Sequence, residues 1–502
     1  MQRERWGNRV VFLLAAIGSA AGLGNAWRFP YITYKYGGGA FLIPYFVALL
    51  TAGIPLLILE FSIGQKNQLG APSALGKIRK NFQAIGWWTT LTAFFIVAYY
   101  VGVMGWIWNY IWGSFTVAWG SDAATFFTEK VLQVSEGPGT LGGFSLPVLI
   151  GVVLTWIAIY FILRRGTKSV GKVIWVTVLL PIVLLVILLF RAVTLPGAIE
   201  GINFYLQPDF SQIFHLDVWI AAYSQIFFTL SIAMGIMIAY ASYMPKDTDI
   251  VNNALITVFA NSGVSFLAGF TVFGILGYMA KTQGVPIAEL ATEGPGLAFI
   301  AYPEAINMLP GGPVIAGFFG VIFFLTLLML GIDSAFSLVE SNIAAFADKW
   351  QLNKQKTTVT VIIVLFLASL LFTTRGGLHW LDIMDYYLNH YALLLGGLLQ
   401  CLAIGWFYRP EKLREYFNPI SDFQVGRWWN VMVKWVIPLV VLFLLGNNFY
   451  RNVFVAPYGG YESKYLWLGG WGLLLLMAVL SIIFAAIKDK SLNSVDSKKA
   501  NL

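Results

Sequence analysis

The chain has 502 residues, of which 58% are hydrophobic and only 11% charged, with a formal net charge of +8. Its sequence pI is about 9.3 and its mean hydropathy +0.73. A soluble domain carries roughly 25% charged residues, so a chain this long and this poor in charge cannot cover a water-exposed surface and needs hydrocarbon as the solvent for most of its length.

The N-terminus, Met1 to Arg9, reaches its first apolar run without a small-residue cleavage signature and reads as a cytoplasmic segment. A spanning helix needs roughly 20 apolar residues. Such runs fall near 10–35, 39–65, 86–115, 145–164, 171–193, 217–243, 252–280, 314–346, 357–374, 380–407, 428–447 and 465–487, so the fold class is an all-α polytopic membrane protein of about twelve spans. A membrane β-barrel would instead show short alternating segments. The expected organisation is 1–9 inside, 10–193 as a first five-helix set, 194–216 as an extracellular loop, 217–407 as a second set, 408–487 as helices 11 and 12, and 488–502 as a cytoplasmic tail.

With the N-terminus inside, about 23 of the 32 Lys and Arg fall on the inner side. That is positive-inside bias, and it explains the basic excess without a nucleic-acid partner. Both termini are then cytoplasmic, and the longer connections near 116–144, 194–216 and 281–313 face outward as ordered loops or short surface helices. The single cysteine, Cys401, lies in an apolar run and excludes a disulfide framework. No Asn-x-Ser/Thr sequon occurs, and both absences lean towards a bacterial inner membrane. His215, His379 and His390 show no metal-ligand spacing.

Two spans carry breaks. The first reads Gly18-Ser19-Ala20-Ala21-Gly22-Leu23-Gly24-Asn25, and the sixth reads Ser231-Ile232-Ala233-Met234-Gly235. Each glycine weakens a helix by about 1 kcal/mol, and interrupted helices at matching places in two halves mark a midplane site in transporters. Close helix packing through small residues would also use glycine. Ionisable residues inside spans favour the site: Glu60, Asp333 and Glu340, joined by the neutral Asn25, Gln225, Thr229, Ser231, Asn261, Ser265 and Ser334. An unwound backbone frees carbonyls, and Asn, Thr, Ser and Asp add oxygens, the donors a hard cation takes. The freed N–H groups and the positive end of a half-helix suit a carboxylate.

At these motifs the sequence resembles the neurotransmitter:sodium symporter family, with its LeuT-type inverted repeat of five plus five helices and broken helices 1 and 6. The likeness runs from Arg3 to the end of span 10. It is carried by Gly22-Leu23-Gly24-Asn25-Ala26-Trp27-Arg28-Phe29-Pro30, Gly37-Gly38-Gly39-Ala40-Phe41, Gln225-Ile226-Phe227-Phe228-Thr229-Leu230-Ser231, Asn261-Ser262 and Gly331-Ile332-Asp333-Ser334.

The resemblance implies one sodium against Ala20, Asn25, Thr229, Asn261 and the substrate carboxylate. It implies a second against Gly18, Ala21, Leu330, Asp333 and Ser334. The substrate carboxylate would meet Leu23, Gly24 and Tyr100, and its side chain would lie among Ala20, Ile96, Phe228, Ser231, Met234, Ser334 and Leu338. Arg28 and Asp385 would close the outer side; Arg3 and Asp348, near Trp6, Tyr243 and Glu340, the inner.

Gly22 stands where monoamine carriers have an aspartate, so a substrate bringing its own carboxylate is expected: a small neutral amino acid. Ser265 stands where chloride-independent bacterial relatives have a glutamate. Two sodium ions beside a zwitterion leave excess positive charge, and a chloride held by Tyr45, Gln225, Thr229, Asn261 and Ser265 would offset it. Ser265 could instead bond only its own helix backbone. Asp333 follows the animal pattern of the second sodium site, and Glu60 suits a brace on the span 6 break. Ala233 and Met234 depart from the usual glycine and aromatic residue there.

The expected activity is therefore sodium-coupled symport by alternating access and not enzyme chemistry, since no nucleophile–base grouping or metal cluster is present. A proton-coupled carrier of the same fold and a transporter-like sensor or scaffold are the alternatives. Gly-rich faces on spans 11 and 12 fit pairing of subunits or contact with lipid, and both stay open.

Overall fold

The computed structural model describes residues 3–290 and 294–491. In chain order the long elements are α1 (Arg9–Ala20), α2 (Gly24–Lys35), α3 (Gly38–Asn67), α4 (Lys80–Ser114), α5 (Leu146–Leu163), α6 (Thr167–Val193), α7 (Leu216–Thr229), α8 (Ile236–Ala241), α9 (Val251–Gln283), α10 (Gly312–Trp350), α11 (Lys354–Thr373), α12 (Gly377–Tyr408), α13 (Arg427–Gly460) and α14 (Ser463–Ala486). No strand is present among the described residues. In hydrocarbon a helix satisfies its own backbone, which is why apolar composition and helix coincide so closely here.

Ten of these helices are long and apolar enough to cross a membrane alone, and α1 with α2, bent by 54° at their break, make an eleventh. The expected span over 217–243 differs in kind. It is divided into α7, of 14 residues, and α8, of 6, neither of spanning length. Among the described residues the count by length is thus ten or eleven, and twelve only when α7 and α8 are taken as one interrupted crossing. The expected tail over 488–502 lies mostly outside the described residues.

Burial sorts the helices into core and periphery. The most apolar stretch of α4 is 89% buried and that of α14 only 28%, so α4 lies at the centre and α14 presents most of its surface to lipid. α4 packs along α10 and α5, and α10 along α6. The short helix Ala71–Ile78 tucks under α4, α8 and α10 at the N-terminal end. The three long connections carry short helices, among them Phe126–Leu132, Ala198–Leu206 and Tyr302–Asn307.

Candidate functional site

The first break begins where α1 loses its hydrogen-bond ladder. In an unbroken helix the Gly22 N–H would donate to the Gly18 carbonyl, and the Asn25 N–H to the Ala21 carbonyl. Here Gly22 donates to the Ala20 carbonyl at 3.0 Å and to Asn25 Oδ1 at 2.9 Å, and Asn25 donates to the Gly22 carbonyl at 3.1 Å. The carbonyls of Gly18 and Ala21 are released from those two bonds. The Leu23 N–H donates to the Tyr100 hydroxyl at 3.3 Å.

The second break runs from Leu230 to Gly235. Ser231 and Ala233 have φ of 53° and 62°, in the left-handed region that costs an L-residue roughly 1–2 kcal/mol. Neighbouring helices hold the chain there. Glu60 Oε1, on α3, accepts from the Ala233 N–H and from Gln400 Nε2, both at 2.9 Å. Ser341, on α10, donates to the Met234 carbonyl at 2.9 Å. The breaks also touch each other, since Ser231 Oγ donates to the Ser19 carbonyl at 2.9 Å and Ser334 Oγ to the same oxygen at 3.2 Å.

Between the breaks lies a small cavity of about 30 Å³. Its wall contains Ala20, Gly22, Leu23 and Gly24 from the first break, Ile96 and Tyr100 from α4, Phe228, Ser231 and Met234 around the second, and Ser334 and Leu338 from α10. The positions assigned to substrate by resemblance are thus gathered in one place, with Ser19, Asn25 and Thr229 beside them. Glycine at 22 keeps the polar end open: a Cβ there would stand 2.5 Å from Ser334 Oγ and 3.2 Å from the Tyr100 hydroxyl.

Three sets of polar residues flank the cavity. Asn25 Nδ2 donates to Asn261 Oδ1 at 2.8 Å and to Ser265 Oγ at 2.7 Å, while Asn261 Nδ2 donates to Thr229 Oγ1 at 3.1 Å. Asp333 lies against Gly18, its Oδ2 2.7 Å from where a Cβ would stand, and its Oδ1 is buried without a hydrogen-bond partner. Ser334 Oγ reaches the Leu330 carbonyl at 3.5 Å. In the third set, both amide atoms of Gln225 are buried without a partner. Ser265 Oγ also donates to the Asn261 carbonyl of its own helix at 3.4 Å. Tyr45 pairs with Ser262 Oγ at 2.9 Å, a residue the sequence reading did not single out for this set.

The two gate pairs differ. Arg3 and Asp348 form an ion pair, and Arg3 also donates to Ser242. Burial opposes the Arg3 charge, but Asp348, Tyr243 and Glu340 outweigh it and raise its pKa. Trp6 donates through Nε1 to the Tyr240 carbonyl at 2.9 Å and through its backbone N–H to the Tyr243 carbonyl at 3.2 Å. The expected Arg28–Asp385 pair is not formed. The Arg28 guanidinium lies 5.1 Å from the Phe228 ring centroid, and Asp385 Oδ1 accepts from the Tyr99 hydroxyl at 2.6 Å and Asn389 Nδ2 at 2.8 Å.

The chain matches the Sodium:neurotransmitter symporter family over residues 3–124 and 116–491, nearly its whole length. It belongs to that family. This symporter is 41% identical over 492 residues to an uncharacterised sodium-dependent transporter of Methanocaldococcus jannaschii, covering 97% of this chain and 98% of that one. It is 36% identical over 524 residues to sodium- and chloride-dependent GABA transporter 2 of Bos taurus, covering 96% of this chain and 86% of the relative. The Homo sapiens protein of the same name is 35% identical over 525 residues, with 96% and 86% covered. Family membership makes the chain a sodium-coupled symporter of small molecules, built into a membrane by its apolar helices.

Around Arg3 and Asp348 the symporter also holds two residues the sequence reading did not single out. Lys354 Nζ donates to Glu340 Oε1 and to Glu4 Oε2, each at 2.7 Å. Glu340 Oε1 also accepts from the Tyr243 hydroxyl at 2.6 Å. The available signal was weak: an acid beside Arg3, and a lysine opening a span near Asp348.

Proposed function

We propose that this symporter carries a small neutral amino acid inward with two sodium ions and one chloride, by alternating access in a cell membrane with the N-terminus inside. One observation carries the sodium part. Asp333 Oδ1 is buried without a donor, next to a break that releases the Gly18 and Ala21 carbonyls. A buried, uncompensated carboxylate oxygen is costly, and an all-oxygen set of Gly18, Ala21, Leu330, Asp333 and Ser334 suits a hard alkali cation. Ala20, Asn25, Thr229 and Asn261, with the substrate carboxylate, form the other sodium set.

Leu23, Gly24 and Tyr100 orient the substrate carboxylate, and Gly22 leaves it room. The apolar part of the wall, Ile96, Phe228, Met234 and Leu338, suits a small to medium neutral side chain. GABA, named for two of the relatives, likewise carries its own carboxylate and belongs in the test panel. For chloride, the support is the buried, unpartnered Gln225 amide, a neutral residue at Ser265, and the charge left over by two cations. In the cycle Arg28 meets Asp385 once the cavity is filled, and Arg3 then parts from Asp348.

Proteoliposome uptake of a panel of neutral amino acids and GABA tests this. Uptake should need external sodium, and Asp333→Asn should weaken sodium activation by on the order of tenfold or more. Full uptake in potassium, or uptake driven by a proton gradient alone, would overturn the reading. Chloride removal should depress uptake, and Ser265→Glu should restore it. An unchanged wild-type rate without chloride would remove that ion from the scheme.

A further inference from the structure

Where α5 ends and α11 begins lies a second, open cavity of about 660 Å³. Arg164 and Arg165 line it from the turn after α5, Gln355 and Lys356 from the start of α11, and Tyr160 and Thr360 from the two helix faces. Three cations face one opening. Among the described residues, none of the three has a carboxylate within 4.0 Å. Arg164 rests instead over the Phe161 ring, 4.8 Å from its centroid.

Like charges gathered in one place raise each other's energy, and an anion lowers it. The neighbouring surface narrows the class of anion. Ile157, Phe161, Val359 and Ile363 expose apolar side chains on the same two helices. A free inorganic anion would use the cations alone, whereas a ligand with an acidic head and apolar tails would use both surfaces. Basic pockets between membrane helices take acidic lipid headgroups in this way. We propose that this cavity binds the phosphate headgroup of an anionic phospholipid, with its acyl chains along α5 and α11.

The location gives the lipid a consequence. Glu4 accepts from the Thr167 N–H at 3.1 Å and from Lys354 Nζ at 2.7 Å. The N-terminal segment is therefore fastened to the start of α11, which lines the cavity, and to the start of α6, just after the turn that carries Arg164 and Arg165. A headgroup drawing Arg164 and Arg165 towards Lys356 fixes the spacing of those anchors and favours the state in which Arg3 stays on Asp348.

The test titrates the purified full chain in detergent with phosphatidylglycerol, phosphatidylcholine or inorganic phosphate, read by native mass spectrometry and melting temperature. Phosphatidylglycerol should stay bound and raise the melting temperature, and the other two should not. Combining Arg164→Gln, Arg165→Gln and Lys356→Gln should weaken that binding by on the order of a hundredfold. Combining Lys168→Gln with Lys172→Gln, which removes two charges outside the cavity, should change it by less than about twofold. Should the triple variant yield no protein, Arg165→Gln or Lys356→Gln alone should weaken binding about fivefold. Undiminished phosphatidylglycerol binding in the cavity variants, an equal loss in the control, or an equal shift with inorganic phosphate would overturn the proposal.

Discussion

The two ends of the proposed transport path use the same kind of charged pair and keep it differently. At the N-terminal end, Arg3 is joined to Asp348, and neutral groups support the joint. Ser242 accepts from Arg3, the Tyr243 ring lies 4.5 Å from its guanidinium, and the Gly70 N–H donates to Asp348 at 2.6 Å. At the other end, neutral groups compete with the pair: Tyr99 and Asn389 hold Asp385, and Phe228 holds Arg28. A charged pair is thus made or unmade by the uncharged residues around it. The molecule is latched at one end and unlatched at the other.

Breaking the latched end should have the largest effect. Asp348→Asn leaves Arg3 buried without its partner, a loss of about 3 kcal/mol, or on the order of a hundredfold in the closed-to-open ratio. Alkylation from the N-terminal side of a cysteine placed by Ala241→Cys, in a Cys401→Ala background, should rise accordingly. An unchanged rate would mean the ion pair does not hold this end.

A smaller effect should appear at the unlatched end. Tyr99→Phe removes the hydroxyl that occupies Asp385 and frees the carboxylate for Arg28, worth about 1 kcal/mol. Outside alkylation of an Ile96→Cys protein should slow about fivefold, with no change at Ala241→Cys. Slowing at both positions would show a global change and not a gate. The smallest effect should come from Ala233→Gly, which relieves a left-handed alanine for a gain of at most about 1 kcal/mol. The melting temperature should rise by about 1–2 °C with both alkylation rates unchanged; a fall would show that the Ala233 methyl, packed towards Gly396, matters more than its backbone.

Much of the fold was legible because hydrocarbon allows so few backbone solutions. An apolar run of spanning length is a helix, and glycines beside Asn25 mark where the ladder opens. Span 6 was harder: its break holds only one glycine, Gly235, and Ser231 and Ala233 adopt left-handed backbone that their residue types disfavour. What forces them is Glu60, 173 positions away from Ala233, and no local pattern carries that. Glu4 with Lys354 was unreadable for the same reason, being 350 positions apart. That Arg28 and Asp385 stand apart here was unreadable on a different ground. Residue types say that two groups attract, but the balance with Tyr99 and Phe228 depends on the state of the molecule.

The Ser19 carbonyl accepts from Ser231 and Ser334 at once, so one oxygen ties α1 to two other elements. Any displacement of Ser19 is therefore felt at both neighbours, the second break and α10. Movement there should be passed to both at once, which would couple the two breaks to one another through a single backbone atom.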